Sequence, residues 1–377
     1  MAQTDPPPIH TIEALRAELQ DALALEFTTI PAYLYGLLSI KDRRSRFPDV
    51  TRIVQSIVIS EMRHMAIAAN VLTAVGGRPE ITKAAPVYPC QIPDFTRAGL
   101  VRLFPCGGDL WQLGLFIEQP DPLPTDTRER IRGAIDLESP RLRTGGGLDL
   151  IKALPSPVPL RFESIGDFYN ALIDGITYLV EQGKEEDVVH PETIPRQYTH
   201  FGGQDNIGVR TSQEAVALLT DVIHEGEGDP HRMWDDNGEL SHYYKFDELA
   251  QGRHYLPQDK PCHPTGPRIT LPVDTDIVHV LPDPQMCKYR KGSPEWRAAD
   301  DFNRFYERLV ANLETGLTGH PQQVDSAVGQ MHQLEVLADA VLACRIAEGE
   351  YAGYYAAPTF ECRPYTDRPV RLPALEE

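Results

Sequence analysis

The sequence predicts an all-α fold, and three observations carry that prediction. Apolar residues recur every three to four positions over long stretches, no alternating strand pattern is present, and prolines gather in the connections. Thr11-Ile-Glu-Ala reads as a helix start, and the apolar period runs on to about Ile40, with Pro31 expected to bend the helix. A second helix is expected from about Asp49 to Val75, stopped by Gly76-Gly77. A shorter one covers about Asp109–Glu118. The period returns at Ile165–Gln182 and Ser212–Glu225, then in a short piece near Glu239–Ala250. Two more amphipathic helices are expected, at Pro294–Leu317 and Pro321–Ala347. Residues 78–104 and 251–293 are proline-rich and irregular, and no internal repeat is present. Such helices bury their apolar stripes by packing as a bundle. The expected organisation is one domain, with a bundle over residues 1–250 and a loop-rich segment and helical extension over 251–377 packed on it. Loops as long as 78–108 and 119–160 are expected to cover a site.

The bulk properties narrow the function classes. With 41% hydrophobic and 24% charged residues over 377 positions, the chain has the make-up of a soluble globular protein with a sizeable core. Its net charge of -19 disfavours nucleic acid and anionic membrane surfaces as partners. The densest basic run, Lys41–Arg46, reads as a solvated helix-end surface. No apolar run is long enough to cross a bilayer, and the first residues carry no basic, apolar leader, so a cytoplasmic protein is expected. Six dispersed cysteines read as free thiols rather than a disulfide frame or a zinc site. There is no GxSxG, no P-loop and no GxGxxG opening a helix. The glycines Gly145–Gly147 lack the lysine and the preceding strand of a phosphate loop. Spacing alone leaves a Cys–His pair open, but nothing singles out one cysteine.

Chemistry enters with carboxylates on faces that should be apolar. On the first helix Ile12, Leu15, Leu19, Ala22, Glu26, Ile30, Tyr33 and Leu37 form one stripe, and Glu26 is its only charge. On the second, Val50, Ile53, Ile57, Glu61, His64, Ala68, Leu72 and Val75 do the same, with Glu61 and His64 as the polar members. An ionised carboxylate in a core costs several kcal/mol unless something compensates it, and a dication would compensate all three groups. Glu61 and His64 stand three apart and point the same way. One Glu followed on the next helix by Glu-x-x-His is half of a dimetal carboxylate site. Oxygen and imidazole donors suit iron, manganese or zinc. The competing reading is a buried Glu–His hydrogen bond with Arg63 or Tyr33.

A second half-site has several candidates. Glu239-Leu-Ser-His242 is another Glu-x-x-His, and Glu227 closes the stripe Val216, Leu219, Ile223 beside flexible glycines. Glu118 ends the helix that contains Trp111 and Leu115. Asp174 sits among Asp167, Asn170 and Glu181 on what reads as a solvent face, while His224 and His231 are lone histidines. Tyr33 and Tyr35, near Glu26, read as packing residues or as hydrogen-bond or electron donors.

At these residues the stretch ALALEFTTIPAYLYGLLSIK, followed by ISEMRHMAIAANVLTAVGGRP, resembles the ferritin-like domain named for iminophenyl-pyruvate dimer synthase. Further segments are similar in the same order: FIEQPDP at Phe116–Pro122, SIGDFYNAL at Ser164–Leu172, HEGEGDP at His224–Pro230, LSHYYKF at Leu240–Phe246 and APTFE at Ala357–Glu361. The resemblance implies a ferritin-like four-helix bundle with long loops, a helical C-terminal extension and a non-haem metal centre. It implies Glu26, Glu61 and His64 as ligands, with Glu118, Glu227 and His242 as further members. It also implies oxidative chemistry on a small amino-acid-derived substrate. The expected function is therefore a metal-dependent oxidoreductase, with iron as a pair or single ion and manganese or zinc as substitutes. As an enzyme it would be a monomer or homodimer. The alternatives are a non-catalytic metal-binding or storage protein and a helical scaffold with a degenerate site.

Overall fold

The protein is described by a computed structural model over residues 9–92, 100–120, 162, 164–203, 205–226, 233–235, 237–281 and 283–365. Gly145–Gly147 and nearly all of the expected 119–160 loop lie outside the described residues, as do Glu227 and His231.

Helix α1 spans Ile12–Leu38, and Thr11 caps it by accepting from the Ala14 N–H (3.2 Å). It runs through Pro31 without ending. A proline inside a helix forfeits one backbone bond, and here both flanks of it are buried in the core. Tyr88 also clamps that stretch by donating to the Thr28 carbonyl (2.7 Å). Helix α2, Pro48–Ala74, starts with proline at a first-turn position, where the missing N–H costs nothing. It ends as the glycine pair predicts: Gly76 adopts a φ of 76°, and the Gly77 N–H donates to the Leu72 carbonyl (2.8 Å).

The remaining long helices are α3 (Gly108–Ile117), α4 (Ile165–Gln182), α5 (Ser212–Glu225), α6 (His242–Gln251), α7 (Pro294–Leu317) and α8 (Gln322–Leu342). Ser164, Thr211 and Ser293 cap α4, α5 and α7 through their hydroxyls. Helix α8 stops at Leu342, five residues short of the expected Ala347. Strand structure among the described residues amounts to two ladders of two residues per strand, Cys90–Gln91 with Leu100–Val101 and His200–Phe201 with Asp205–Asn206, plus isolated bridges.

One expected element begins late. Helix α6 starts at His242, so Glu239 and His242 do not share a helical turn. The reason is local: Asp235 Oδ1 accepts from the N–H groups of Asn237 (2.9 Å) and Glu239 (2.7 Å). That side chain stabilises a tight turn through Gly238, whose φ is 78°. Glu239 is left on the turn with its side chain 73% exposed.

Helices α1 and α2 pack along each other, α4 lies on α1 and α5, and α5 closes back on α2. Helices α3 and α6 form a second pair, seated against α1 and α2. Gly114 permits their closeness, since a Cβ there would stand 2.5 Å from the Phe246 ring. The α7–α8 hairpin packs on the short turn Ile81–Ala84 and touches α1 and α2. The basic run is largely the solvated surface expected, with Lys41, Arg44 and Arg46 exposed, and it also makes ion pairs to distant segments. Arg43, 12% exposed at its side chain, pairs with Asp339 of α8 (3.0 Å), and Arg44 pairs with Glu335 (2.7 Å). Arg46 meets Asp276 (2.7 Å). Buried Asn70 pins the 198–207 segment to α2 by donating to the Tyr198 and Ile207 carbonyls and accepting from the Tyr198 N–H.

Candidate metal centre

Five of the expected residues converge. Glu26 comes from α1, Glu61 and His64 from α2, Glu118 from the end of α3 and His242 from the start of α6, and each is 3% exposed or less. The imidazoles of His64 and His242 face each other with ring centres 5.4 Å apart. Donor atoms of Glu61, His64 and His242 lie within 4.8 Å of one another, a group able to hold a metal ion.

The carboxylates share one pattern: a hydroxyl fixes one oxygen of each, and the other turns toward an imidazole. Tyr169 donates to Glu26 Oε1 (2.5 Å), leaving Oε2 at 3.5 Å from His64 Nδ1. Thr29 Oγ1, which also lies 2.8 Å from the Glu26 carbonyl, donates to Glu61 Oε2 (2.9 Å). Glu61 Oε1 is then 2.8 Å from His242 Nδ1. Tyr33 donates to Glu118 Oε1 (2.7 Å), and Oε2 lies 3.6 Å from the same His242 nitrogen. That nitrogen is close to two carboxylates, yet neither nitrogen of His242 makes a hydrogen bond of acceptable geometry. Close donors that are misaligned with each other are what two ligands aimed at a common ion look like. The donor set therefore fits a metal.

His64 is held from behind. Its Nε2 meets Glu225 Oε2 (3.1 Å), which also accepts from Ser60 Oγ (2.9 Å). Glu225 Oε1 accepts from Arg63 Nη1 (3.0 Å), and Arg63 bonds onward to Asp205. Nδ1 is thereby the nitrogen turned toward Glu26 and the interior.

The electrostatics reflect crowded charge in a dry site. Burial and the nearby charges of Glu118 and Glu26 hold the Glu61 carboxyl well above the usual carboxylate range. Burial works against the charge of Glu26 as well, but hydrogen bonding and charge from His64 outweigh it and hold that carboxyl low. Burial likewise opposes protonation of His64, yet its bonds to Glu225 and Glu26 push it up to about 9. Glu225 is lowered to about 2: burial opposes its ionisation, and His64, Arg63 and Ser60 overcome that. Without a cation, protons on His64 and Glu61 offset the buried negative charge, and a dication would replace both. Tyr33 and Tyr169 titrate well above their ordinary range because burial and adjacent carboxylates disfavour phenolates.

The other candidates fall away from the cluster. Asp174 is exposed, His224 is half-buried and takes no part in these contacts, and Glu239 is on the turn already described. Tyr35 is buried but donates to the Leu281 carbonyl (3.3 Å). The described cysteines with resolved shifts are all pushed up by burial, Cys90 to about 12 and Cys362 to about 11, which removes support for a thiolate nucleophile. Sequence reading missed Glu225, Tyr169 and Thr29. Glu225 did leave a signal, because a carboxylate in the last turn of a helix opposes the helix dipole and needs a cation such as Arg63. Removing it by Glu225→Ala is expected to weaken metal binding about 10- to 100-fold while the fold persists, as read by competition with a metallochromic chelator. Unchanged affinity would remove Glu225 from the site.

A helical bundle with a buried carboxylate–imidazole cluster defines a class of protein, and the comparisons place the chain within it. Residues 19–251, more than half of the chain, match the family model described as Ferritin-like, and the chain belongs to that family. A crystal structure of a ferritin-like protein from Caulobacter vibrioides is similar at a TM-score of 0.55 and 21% identity, covering 92% of this chain and 100% of that one. At that identity the likeness concerns the fold. No curated protein matches the chain significantly. Among the described residues no helix is long and apolar enough to cross a membrane.

Proposed function

We propose that this protein is a non-haem, metal-dependent oxidoreductase, with iron the favoured metal, acting on a small amino-acid-derived molecule of specialised metabolism. The observation that carries this reading is the shared pattern at Glu26, Glu61 and Glu118, each with one oxygen fixed by a hydroxyl and the other turned to an imidazole. Glu61, His64 and His242 would hold one ion, and Glu26 and Glu118 would complete its shell or serve a second. Iron so bound supplies activation of dioxygen or a peroxide. The chain itself orients the ligands: Tyr169, Thr29 and Tyr33 fix the carboxylates, and Glu225 with Arg63 fixes the His64 ring. Burial of all five residues excludes bulk water from the reacting centre. The resemblance of the first two helices to the ferritin-like domain of iminophenyl-pyruvate dimer synthase supports the oxidative and biosynthetic part of the proposal.

The test is anaerobic loading with ferrous iron, followed by oxygen addition with dissolved oxygen and the optical spectrum recorded. The wild-type chain is expected to consume oxygen in proportion to bound iron, and His242→Ala at least tenfold more slowly. Zinc as the sole retained metal, with no oxygen uptake, would overturn the oxidative reading. Elution as a large shell on size exclusion would favour storage.

A further inference from the structure

A cavity of about 440 Å³ opens where the end of α2, the 3-10 turn Pro191–Arg196 and the end of α7 meet, and none of the metal ligands lines it. Its wall includes Thr73 and Arg78 from the first segment, Arg196 from the second, and Glu314 and His320 from the third. Thr73 lies nine residues beyond His64 on α2, about 14 Å along the helix axis, so this space is separate from the cluster. The chain carries a net charge of -19, yet the cavity presents three basic side chains against one carboxylate. Arg78, Arg196 and His320 are exposed, and none of their side chains has an ion-pair or hydrogen-bond partner among the described residues. The carboxylate is already engaged, since Glu314 Oε2 accepts from the Thr82 N–H (2.7 Å). A purely structural role for the basic groups would be to neutralise the two helix C-termini, but carbonyls there have other partners. The Leu72 carbonyl accepts from the Gly77 N–H (2.8 Å), that of Thr73 from Gly76 (3.1 Å), and that of Thr315 from His320 (3.3 Å). The Val75 carbonyl accepts from Arg16 Nε (2.8 Å).

Two unpaired guanidinium groups on one hollow suit a phosphoryl group, whose several oxygens take bidentate bonds from more than one arginine. The threonines restrict the remainder of the ligand. Thr315 and Thr318, also on the wall, donate their hydroxyls to the Ala311 (2.9 Å) and Glu314 (2.7 Å) carbonyls, so toward a ligand their oxygens can only accept. Acceptors on the wall call for hydroxyl groups on the ligand. No Phe, Tyr or Trp lines the cavity to stack on a nucleobase. A volume of this size is in the range of small-molecule sites, about 300–1,000 Å³. We propose that Arg78, Arg196 and His320 line a binding site for the phosphate ester of a small polyhydroxy compound. The arginines take the phosphoryl group, and hydroxyls of the ligand donate to Thr315 and Thr318. The proposal goes beyond the metal-centred reading and does not rest on it.

The test is calorimetric titration of the full chain in phosphate-free buffer with glycerol 3-phosphate, inorganic phosphate and glycerol. Glycerol 3-phosphate is expected to bind saturably, inorganic phosphate severalfold more weakly, and glycerol not at all. Arg78→Gln and Arg196→Gln should each weaken the ester at least tenfold, with the circular dichroism spectrum and the metal content unchanged. Lys291→Gln, which removes an exposed cation outside the cavity, should bind like the wild type. Absence of saturable binding, or an affinity that survives both arginine substitutions, would overturn the proposal. An equal loss in Lys291→Gln would do the same by showing mere attraction to surface charge. Inorganic phosphate binding as tightly as the ester would overturn the assignment of a hydroxylated ligand.

Discussion

Glu61→Gln is expected to abolish tight metal binding and, in the same protein, to raise the stability of the metal-free fold. The opposite signs follow from one position. Glu61 is buried between Glu26 and Glu118, and its carboxyl is held far above the usual range by burial and by their charges. An acid whose pKa is raised on folding favours the native state below its unfolded pKa, and that contribution is lost as pH rises through the folded value. At neutral pH and above, the wild-type metal-free chain therefore carries a penalty that glutamine lacks. The amide can still accept from Thr29, so the local hydrogen bond survives. Thermal melts of chelator-treated protein should show the variant melting a few degrees higher at pH 8, with the gap narrowing toward pH 5. Elemental analysis should show metal lost from the variant alone. Full metal retention would remove Glu61 as a ligand, and a lower melting point at pH 8 would refute the electrostatic account.

Gly114→Val is expected to be the most damaging single substitution among the glycines near the cluster. Even the first added carbon would stand 2.5 Å from the Phe246 ring, inside the pair α3–α6. Phe246 is 0% exposed and packs against Tyr33 at a 60° tilt with ring centres 4.9 Å apart, so it has nowhere to retreat. Overpacking of this kind costs about 1–3 kcal/mol, and valine adds strain on a helix that already lacks a strong cap. The effect should reach the cluster, because α3 ends in Glu118 and α6 begins with His242. Loss of helical stability by circular dichroism together with at least tenfold weaker metal binding is expected. A variant with native stability and native metal affinity would show that the spacing of these two helices does not set the site.

Much of this arrangement is legible in the sequence because α1 and α2 are regular. A carboxylate on an apolar stripe can be recognised only when the stripe is continuous, as it is around Glu26, Glu61 and His64. Their placement could be read from helical spacing, and the structure brings them together with Glu118 and His242. The rest depends on contacts between distant segments. Tyr169 sits on the buried face of α4 among apolar neighbours, and nothing in its own helix reveals that it meets Glu26. Glu225 belongs to a last turn whose meaning comes from Arg63 on another helix. Glu239 misled in the opposite way: its spacing to His242 suggested a helix, but the Asp235 turn absorbs those residues first. The run Lys41–Arg46 reads as solvated and largely is, but its ion pairs leave no local signal, because the acidic partners of Arg43 and Arg44 lie nearly three hundred residues downstream.

The order of the ligands along the chain has a consequence for biosynthesis of the protein itself. A ribosome delivers Glu26, Glu61 and His64 early and His242 only after most of the bundle has emerged. The nascent chain can thus bury α1 against α2 while its metal group lacks a donor, and loop closure must bring residue 242 back to residue 61 before that group is whole. Any metal capture by the full group would then follow the return of residue 242 to α2, and a chain shorter than that would offer cations only an incomplete donor set.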